Sequence, residues 1–516
     1  MMIQRTLSII IAISLVFSLI GCAARNTIPT PDIIKGEESL AFTSSSSQSE
    51  IGQPENPPAV TSSQSFVTGS SSSSQSESSS STSSGSSQSA SQSQSQSGSA
   101  SSSSASQSAS SSTASSQSSQ SSQSSSSSQP DYEVEDNESK NDTPVTVGDE
   151  IRAVWISYLE LGTMLTNQSS SQYRSNIRKA CANAAEMGLN TIILQVRPFG
   201  DAIYPSAYFP QSYLFNGTEG KRNSAPFDAL EIAIEEAHAK GLRLEAWVNP
   251  YRVRSTASTK PLGNDNPAQD FLDSGSDAVV KSGALISYNP GNTEAQNHIV
   301  NGIIELVKNY DIDGIHFDDY FYPTTDASFD KGTYQSSGTG KSLAQWRRSN
   351  VTTLMGKVYN AIKGIDKSVT FGISPQGNNN NNLNAQYVDI AEIAQKGYVD
   401  YICPQMYFGF NNSGCPYQST IESFNKMVKG TGVQLYIGLA TYKFGKQDSW
   451  AGNGINEWVD TTDIIARQVK SARKLTEYGG FILYRYDSCF SIDSFYTGSA
   501  RTQAKTEMKN LAAILK

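Results

Sequence analysis

Two adjacent carboxylic acids in the segment DGIHFDDYFYP, residues 313–323, are the side chains in this sequence best suited to chemistry. Asp318 and Asp319 follow a short apolar run and precede three aromatic residues. Such a pair could exchange protons with a substrate, grip a ligand without reacting, or form ion pairs with Arg197 or Arg252. Because a nearby like charge raises the pKa of a carboxyl group, Asp319 could adapt Asp318 to act as a general acid.

The elements that must position these acids follow a regular order. From about residue 150 onward, short apolar runs alternate with longer segments of helical period, which predicts eight strands, each followed by a helix. The runs are RAVWIS, NTIILQVRP, LRLEAWVNP, IDGIHFDD, VTFGISPQ, YICPQMY, QLYIGLA and GFILYRYD. The helix candidates lie near 174–187, 226–240, 294–309, 342–363, 384–396, 418–429, 461–477 and from 500 to the end.

This order is typical of an α/β protein of the (β/α)8 TIM-barrel type, with residues 150–516 forming one domain. Glycines after several helix candidates, in EMGLN, HAKGLRL and EYGGF, are expected to end those helices. A doubly wound open sheet is the alternative architecture. It has less support, because no glycine-rich phosphate-binding turn follows an early strand.

Functional groups of a TIM barrel gather at the C-terminal ends of its strands, and side chains alternate in direction along each strand. We therefore expect one set of side chains on strands two to four to face the barrel interior: Ile193, Gln195, Arg197, Glu245, Trp247, Asn249, Gly314, His316 and Asp318. The side chain of Asp319 points the opposite way, so we expect Asp319 to begin the loop or to support a neighbouring residue. His316 lies deeper in its strand, and this position favours the interpretation that it is a hydrogen-bonded histidine of the core.

Five ordered motifs carry a family resemblance. QVRPFGDAIYPS, EAWVNPYRV, DGIHFDDYFYP, ISPQG and PQMYF resemble the bacterial glycosyl-hydrolase-like family 10, a barrel family common in exported lipoproteins, over roughly residues 150–500. The resemblance implies a glycan-hydrolysing barrel. At least one relative is understood to cut peptidoglycan strands stripped of their peptides, which makes peptidoglycan the first substrate candidate. One departure is that relatives often carry His where this chain has Glu245.

Most glycoside hydrolases use two carboxyl groups that flank the scissile bond. Consecutive residues of a strand point in opposite directions, so Asp318 and Asp319 are not expected to form that pair. Asp318 is the better candidate for one acid. The candidates for the second are Glu245, Asp319 after a sharp turn, Asp201 and Asp487. For Glu245 a buried ion pair with Arg197 is an equally open interpretation.

Other strand-end side chains are candidates for substrate binding. Arginine offers a forked set of donors, aromatic rings can stack on sugar faces, and amides both donate to and accept from hydroxyl groups. The same arginines could instead orient the acids, and any one ring could belong to the core. The candidate set is Gln195, Arg197, Trp247, Asn249, Arg252, Tyr320, Gln376, Gln405, Tyr407 and Arg485.

The N-terminal third differs in kind from the rest of the chain. Residues 1–21 read as a lipoprotein signal peptide that ends in LIGC, and Cys22 is the predicted lipidation site. An ordinary cleaved signal with a chance cysteine is the alternative. Residues 22–149 form a Ser/Gln-rich segment that is too polar to bury a core, and it is predicted to be a disordered linker. We therefore expect a domain anchored through lipid on the outer face of the cell membrane.

Charge and cysteine content exclude several function classes. The net charge of −9 and the lack of a basic stripe argue against nucleic acid as a partner. No zinc-like spacing of Cys or His occurs, so neither a metal nor a cofactor is expected. Disulfide pairing stays open among Cys181, Cys403, Cys415 and Cys489, the last two of which are placed in loops and could pair.

Three functions of different kinds remain. The leading prediction is a membrane-anchored glycoside hydrolase acting on an envelope polysaccharide. The second is a glycan-binding lipoprotein that kept the barrel without catalysis, because fold alone does not establish an enzyme. A phosphate or nucleotide enzyme is the third, and it lacks a phosphate-binding loop.

Overall fold

The computed structural model describes residues 150–255, 258 and 260–516. The predicted signal peptide, Cys22 and the Ser/Gln-rich linker lie outside these residues. In the part of the chain that the structure describes, no helix has the length and apolar character needed to cross a membrane.

Parallel strands form a closed barrel around one axis, as the alternating pattern predicted. The barrel strands are β1 Ile151–Ile156, β2 Thr191–Arg197, β3 Arg243–Val248, β7 Gly314–Phe317, β8 Thr370–Ile373, β9 Tyr401–Ile402, β10 Gln405–Met406, β11 Gln434–Ala440 and β12 Tyr478–Tyr484. Strand β11 pairs with both β9 and β10, which occupy a single position in the barrel and are separated by Cys403 and Pro404. Strand β12 pairs with β11 on one side and with β1 on the other, so the ring closes.

Helices surround this ring and connect its strands. They are α1 Tyr158–Met164, α2 Ser170–Met187, α3 Ala229–His238, α4 Pro267–Asp273, α5 Thr293–Asn309, α6 Lys331–Ser336, α7 Leu343–Ile365, α8 Asn379–Asn384, α9 Ile390–Gln395, α10 Tyr417–Val428, α11 Glu457–Asp460, α12 Ile464–Ala472, α13 Tyr486–Phe490, α14 Ile492–Phe495 and α15 Gly498–Ala512. Short 3-10 turns occur at Tyr213–Phe215, Thr441–Lys443 and Gly452–Gly454.

The prediction that glycines in three segments end helices was only partly correct. Gly188 ends α2 with φ of 92°, and Gly241 follows α3 with φ of 67°, as EMGLN and HAKGLRL predicted. The glycines of EYGGF lie inside strand β12, so that prediction was wrong. Gly480 is needed there because a Cβ atom would lie 2.3 Å from the carbonyl oxygen of Ile151 on the paired strand β1.

A small antiparallel sheet between β3 and α5 was not predicted. It consists of β4 Arg252–Arg254, β5 Val279–Ser282 and β6 Leu285–Tyr288, in the order β4, β6, β5. Its strands are short and mixed in polarity, so they carry too little periodicity to be recognised. The sheet places Arg252 beside the C-terminal end of the barrel.

Apolar side chains pack in two regions. The larger lies between the strands and the helices, and there Leu244, Ala246 and Val248 of β3 face the helices as expected. The smaller fills the barrel interior and consists of Ala153, Trp155, Ile193, Trp247, Tyr401, Cys403, Tyr436 and Ile482. Large rings dominate this inner set, so they form a packed floor beneath the strand ends.

All four cysteines of the described residues are free thiols. Cys489 was expected in a loop, but it lies buried in helix α13, where its thiol contacts the Thr441 hydroxyl over 3.3 Å. Cys415 is half-buried near the loop after β10.

Candidate active site

A cavity of about 210 Å³ opens at the C-terminal ends of the barrel strands. This is the position at which a TIM barrel carries its functional groups. Both acids of the DD pair line it, together with seven of the predicted binding residues: Gln195, Trp247, Arg252, Tyr320, Gln405, Tyr407 and Arg485.

Some lining residues were missed by sequence reasoning. Trp155 forms part of the floor, and Tyr158, Tyr442, Lys446, Tyr484 and Phe495 contribute to the walls. Trp155 could have been found, because it has the inward direction on β1. Tyr484 could have been found in the same way, because it ends strand β12 two residues after the inward-facing Ile482. The other wall residues lie on loops and on short helices, where alternation carries no information.

A chain of amides holds Asp318. The backbone N–H of Tyr158 donates to Oε1 of Gln195 over 2.8 Å, which fixes the orientation of that amide. Its Nε2 then donates to Oδ1 of Asn249 over 2.7 Å. As a result the Nδ2 of Asn249 faces Asp318 and donates to both carboxyl oxygens, over 2.7 and 2.8 Å.

Asp319 is held from the other side of the cavity. Nε2 of Gln405 donates to its Oδ1 over 3.0 Å, and Nε2 of Gln376 donates to its Oδ2 over 3.2 Å. Gln376 and Asn249 are predicted binding residues that bond to the two acids but do not line the cavity. Since Asp318 is bonded from β3 and Asp319 from β8 and β10, the two carboxyl groups diverge although their residues are consecutive.

The electrostatics of the pair favour a proton on Asp318. Burial, and after it the neighbouring Asp319 carboxylate, raise the pKa of Asp318 to about 7 against the lowering effects of Arg252 and Asn249. Burial also raises the pKa of Asp319, against the lowering effect of its two amide donors. A buried acid with a pKa near neutrality is suited to general acid catalysis.

Arg252 and Arg485 are the two arginines that line the cavity among the described residues. The guanidinium of Arg252 donates through Nε to the Pro198 carbonyl over 2.9 Å and lies 4.3 Å from the ring centroid of Tyr320. Nη1 of Arg485 lies 3.5 Å from Oε1 of Glu160, a buried residue that caps helix α1. Both cations are thereby fixed where a ligand in the cavity would meet them.

Aromatic rings supply flat surfaces for a ligand. Tyr407 and Tyr484 stack with centroids 5.6 Å apart and planes inclined by 26°. Trp155 meets Tyr484 edge-on at 5.9 Å. The indole N–H of Trp247 is buried and has no hydrogen-bond partner among the described residues, so it is a donor that a ligand in the cavity could satisfy.

Glu245 does not line this cavity. It faces the interior, as expected, but in the lower part of the barrel, where it accepts from the Tyr401 hydroxyl over 2.5 Å and from the Thr370 hydroxyl over 3.2 Å. Arg243 lies 3.6 Å away, so the expected partner Arg197 was wrong. The structure therefore separates Glu245 from the DD pair.

His316 connects the cavity floor to Glu245. The indole N–H of Trp155 donates to its Nε2 over 3.1 Å, and its Nδ1 lies 2.7 Å from the Tyr401 hydroxyl. Because that hydroxyl donates to Glu245, Nδ1 carries the histidine proton. Burial lowers the pKa of His316 to about 3, so the ring is the neutral core histidine that was predicted.

Arg197 does not face the interior, which corrects the alternation argument for its strand. A bulge interrupts the pairing of β2 with β3 between Gln195 and Arg197, and it brings Arg197 opposite the outward-facing Val248. The buried guanidinium lies 4.4 Å from the Phe209 ring centroid and donates to the Pro250 carbonyl over 3.3 Å. It supports loops and does not reach the cavity.

The remaining candidate carboxylates also lie elsewhere. Asp201 is buried beside a separate cleft, where its Oδ2 accepts from the backbone N–H of Tyr213. Asp487 lies in helix α13 outside the lining. Among the described residues that line the cavity, Asp318 and Asp319 are thus the only carboxylates. No cluster of three or more His, Cys, Asp or Glu suited to a metal ion occurs in the described ranges.

Comparison with known proteins agrees with these features. A family model described as glycosyl hydrolase-like 10 matches residues 150–452. The chain is 34% identical over 349 residues to glycosyl hydrolase YngK of Bacillus subtilis (strain 168), a match covering 63% of this chain and 66% of that relative. It is 33% identical over 334 residues to glycosyl hydrolase DigH of Escherichia coli (strain K12), covering 58% of this chain and 73% of that one. The chain thus spans just under two thirds of the length of YngK.

A solved structure of similar outline is the PgaB (BpsB) glycoside hydrolase domain from Bordetella bronchiseptica. It is 15% identical, with a TM-score of 0.45, and the match covers 69% of this chain and 99% of that one.

Proposed function

The chain belongs to the glycosyl hydrolase-like 10 family, and we propose that it is a glycoside hydrolase that cleaves the glycan strands of peptidoglycan. The observation that carries this proposal is the DD pair in the barrel mouth. Asp318 has a pKa of about 7, and it lines the same cavity as the stacked Tyr407 and Tyr484. A protonated acid can give its proton to a glycosidic oxygen while neighbouring aromatic rings bind the sugar.

The second catalytic group is the less usual part of the proposal. Although their carboxyl groups diverge, Asp318 and Asp319 come from consecutive residues at one strand end, so we do not assign them to opposite faces of a bound sugar. No further carboxylate lines the cavity in the described residues. We propose that the substrate supplies the nucleophile through the carbonyl oxygen of a 2-acetamido group, a route that some glycoside hydrolases use. Peptidoglycan strands consist of N-acetylated sugars, which fits this requirement.

We propose that hydrolysis proceeds in two steps. Asp318 gives its proton to the glycosidic oxygen, the bond from that oxygen to C1 breaks, and the acetamido oxygen bonds to C1. The carboxylate of Asp319 accepts a hydrogen bond from the acetamido N–H and stabilises the positive ring that forms. Water then attacks C1, the ring opens, and Asp318 takes a proton from that water. One water is consumed, and the configuration at C1 is retained.

We further propose that Cys22 carries lipid and holds the domain at the outer face of the cell membrane. The support is the LIGC sequence after an apolar run and the long polar segment before the barrel. Replacing Cys22 with Ala should move the protein from the membrane fraction to the soluble extracytoplasmic fraction. Equal membrane association of both proteins would contradict the anchor.

Hydrolysis can be tested with the full chain and a set of purified glycans. Peptide-stripped glycan strands, intact peptidoglycan and neutral polysaccharides would be incubated with the parent and with Asp318→Asn, and new reducing ends would be identified by mass spectrometry. We expect products from the stripped strands with the parent alone. Retained binding without product from any glycan would instead identify a glycan-binding protein.

A further inference from the structure

A second cleft of about 280 Å³ continues from the catalytic cavity. Four residues line both spaces: Asp319, Gln405, Tyr407 and Tyr442. The cleft runs outward from them over helix α8, the loop after β10 and the loop after β11. A ligand that leaves the cavity past Asp319 therefore enters this cleft without crossing a wall.

Trp450 stands at the outer end of the cleft, and its exposure is unusual for this chain. Its side chain is 67% exposed, whereas the other four tryptophans are 5% exposed or less. An exposed indole presents a flat, amphipathic face, and in a cleft that continues from the cavity such a face is suited to stacking on a sugar ring.

Hydrogen bonds hold the loop that carries Trp450 in place. Next to Trp450, the carbonyl of Ala451 accepts from the Ser413 N–H over 2.9 Å, and the Asp448 N–H donates to the Ile455 carbonyl over 2.9 Å. The ammonium of Lys443 contacts the Asp448 carboxylate and the Tyr407 carbonyl, each over 2.7 Å. The loop is thereby tied to a residue of the catalytic cavity, so the indole is presented in advance of binding.

The rest of the cleft is polar and mostly uncharged. Its amide side chains are Gln376, Asn378, Asn381, Asn412 and Gln405. Lys443 and Asp448 neutralise each other, which leaves Asp319 as the one remaining charge on the lining in the described residues. Amides beside an aromatic ring match a neutral sugar, and they do not match a phosphate or a strongly charged peptide.

We propose that this cleft is a sugar-binding subsite, with Trp450 stacking on a sugar of the same chain some distance from the bond that is cut. This inference extends the proposed function, because the ligand is the continuation of the same glycan. A subsite beyond the catalytic cavity means that the enzyme cuts inside chains and prefers long ones to short ones.

The test compares Trp450→Ala, Trp450→Phe and a control, Ile365→Ala, in the full chain. Ile365 is 38% exposed and ends helix α7, which leads into β8 at the opposite end of the barrel from the cavity. We expect Trp450→Ala to raise KM for peptide-stripped glycan strands by about tenfold, the size of one lost stacking contact. The KM for a short chromogenic N-acetylglucosaminide should stay unchanged. Trp450→Phe should recover much of the loss, and Ile365→Ala should match the parent.

Binding supplies a readout that does not depend on turnover. The Asp318→Asn protein, with and without Trp450→Ala, would be titrated with stripped strands by calorimetry. Weaker binding without Trp450 supports the subsite even if hydrolysis is never detected. Parent-like KM and parent-like binding in Trp450→Ala would overturn the subsite while leaving the proposed function intact.

Discussion

Asn249 donates from a single nitrogen to both carboxyl oxygens of Asp318, over 2.7 and 2.8 Å. The orientation of that nitrogen is set by the backbone of Tyr158 through Gln195. A backbone N–H can only donate, so the order of donors and acceptors along this chain has one solution. The acid is therefore held by the scaffold and not by a mobile loop.

The first prediction concerns the pH dependence of hydrolysis. A general acid must be protonated, and the pKa of Asp318 lies at about 7, so kcat/KM should fall as the pH rises above about 7. Asn249→Ala removes a donor that favours the charged form and should move this basic limb to higher pH. The measurement is kcat/KM across pH 4–9.

Asp319→Asn should shift the basic limb of the pH profile in the opposite direction, and it serves as the matched variant. Removing the neighbouring negative charge should lower the pKa of Asp318 and move the same limb to lower pH. A limb that stays in place in both variants would show that Asp318 is not the titrating acid.

The second prediction concerns stability. In the unfolded chain Asp318 ionises near pH 4, but in the folded protein its pKa is about 7. The folded state therefore holds the proton more tightly, and the stability associated with this group is lost as the pH rises from about 4 to 7. Asp318→Asn does not titrate, so its Tm should exceed that of the parent by roughly 2–4 °C at pH 8 and by little at pH 5. A constant difference at both pH values would contradict a raised pKa.

The third prediction separates a structural role of Glu245 from a catalytic one. Glu245→Gln replaces an acceptor oxygen with an amide in a site surrounded by the donors Tyr401, Thr370 and Arg243. The free energy of unfolding should fall by about 1–3 kcal/mol, as expected for a buried hydrogen bond lost. The kcat/KM per folded molecule should stay within about threefold, because the residue lies below the cavity floor. A loss of activity above a hundredfold at unchanged stability would restore Glu245 as a catalytic residue.

The fourth prediction addresses the acetamido nucleophile. Stripped glycan strands should be cut, and the same strands after chemical N-deacetylation should not be cut. A stable thiazoline analogue of the cyclic intermediate should inhibit the parent competitively. Products should first appear with the configuration of the substrate, as proton NMR of the anomeric region would show. Inverted products, or equal rates on deacetylated strands, would require a nucleophile from the protein or from water.

Much of the fold followed from patterns that the barrel imposes on the chain. Helices follow the barrel strands along the chain, and side chains alternate in direction along each strand, so the inward placement of Trp247, Asn249 and Asp318 was predictable. The expectation failed for Arg197 because a bulge changes the direction of the strand after Gln195, and a bulge leaves no clear mark in the sequence.

The site was predictable to the extent that strand ends form it. Gln195, Gln405 and Tyr407 lie at such ends, and they line the cavity. Residues such as Tyr442 and Phe495 reach it from loops and short helices, whose paths depend on tertiary packing. The same limit applies to Trp450, whose exposure is a property of the fold and not of its neighbours in the sequence.

The most direct test is hydrolysis of peptide-stripped peptidoglycan strands by the full chain, with Asp318→Asn beside it at pH 6. The predicted result is a steady release of new reducing ends by the parent and at least a hundredfold less by the variant, with the variant folded and still binding the strands. Equal release by both proteins would contradict the role of Asp318, and the absence of release from the parent on every glycan would contradict the proposed function itself.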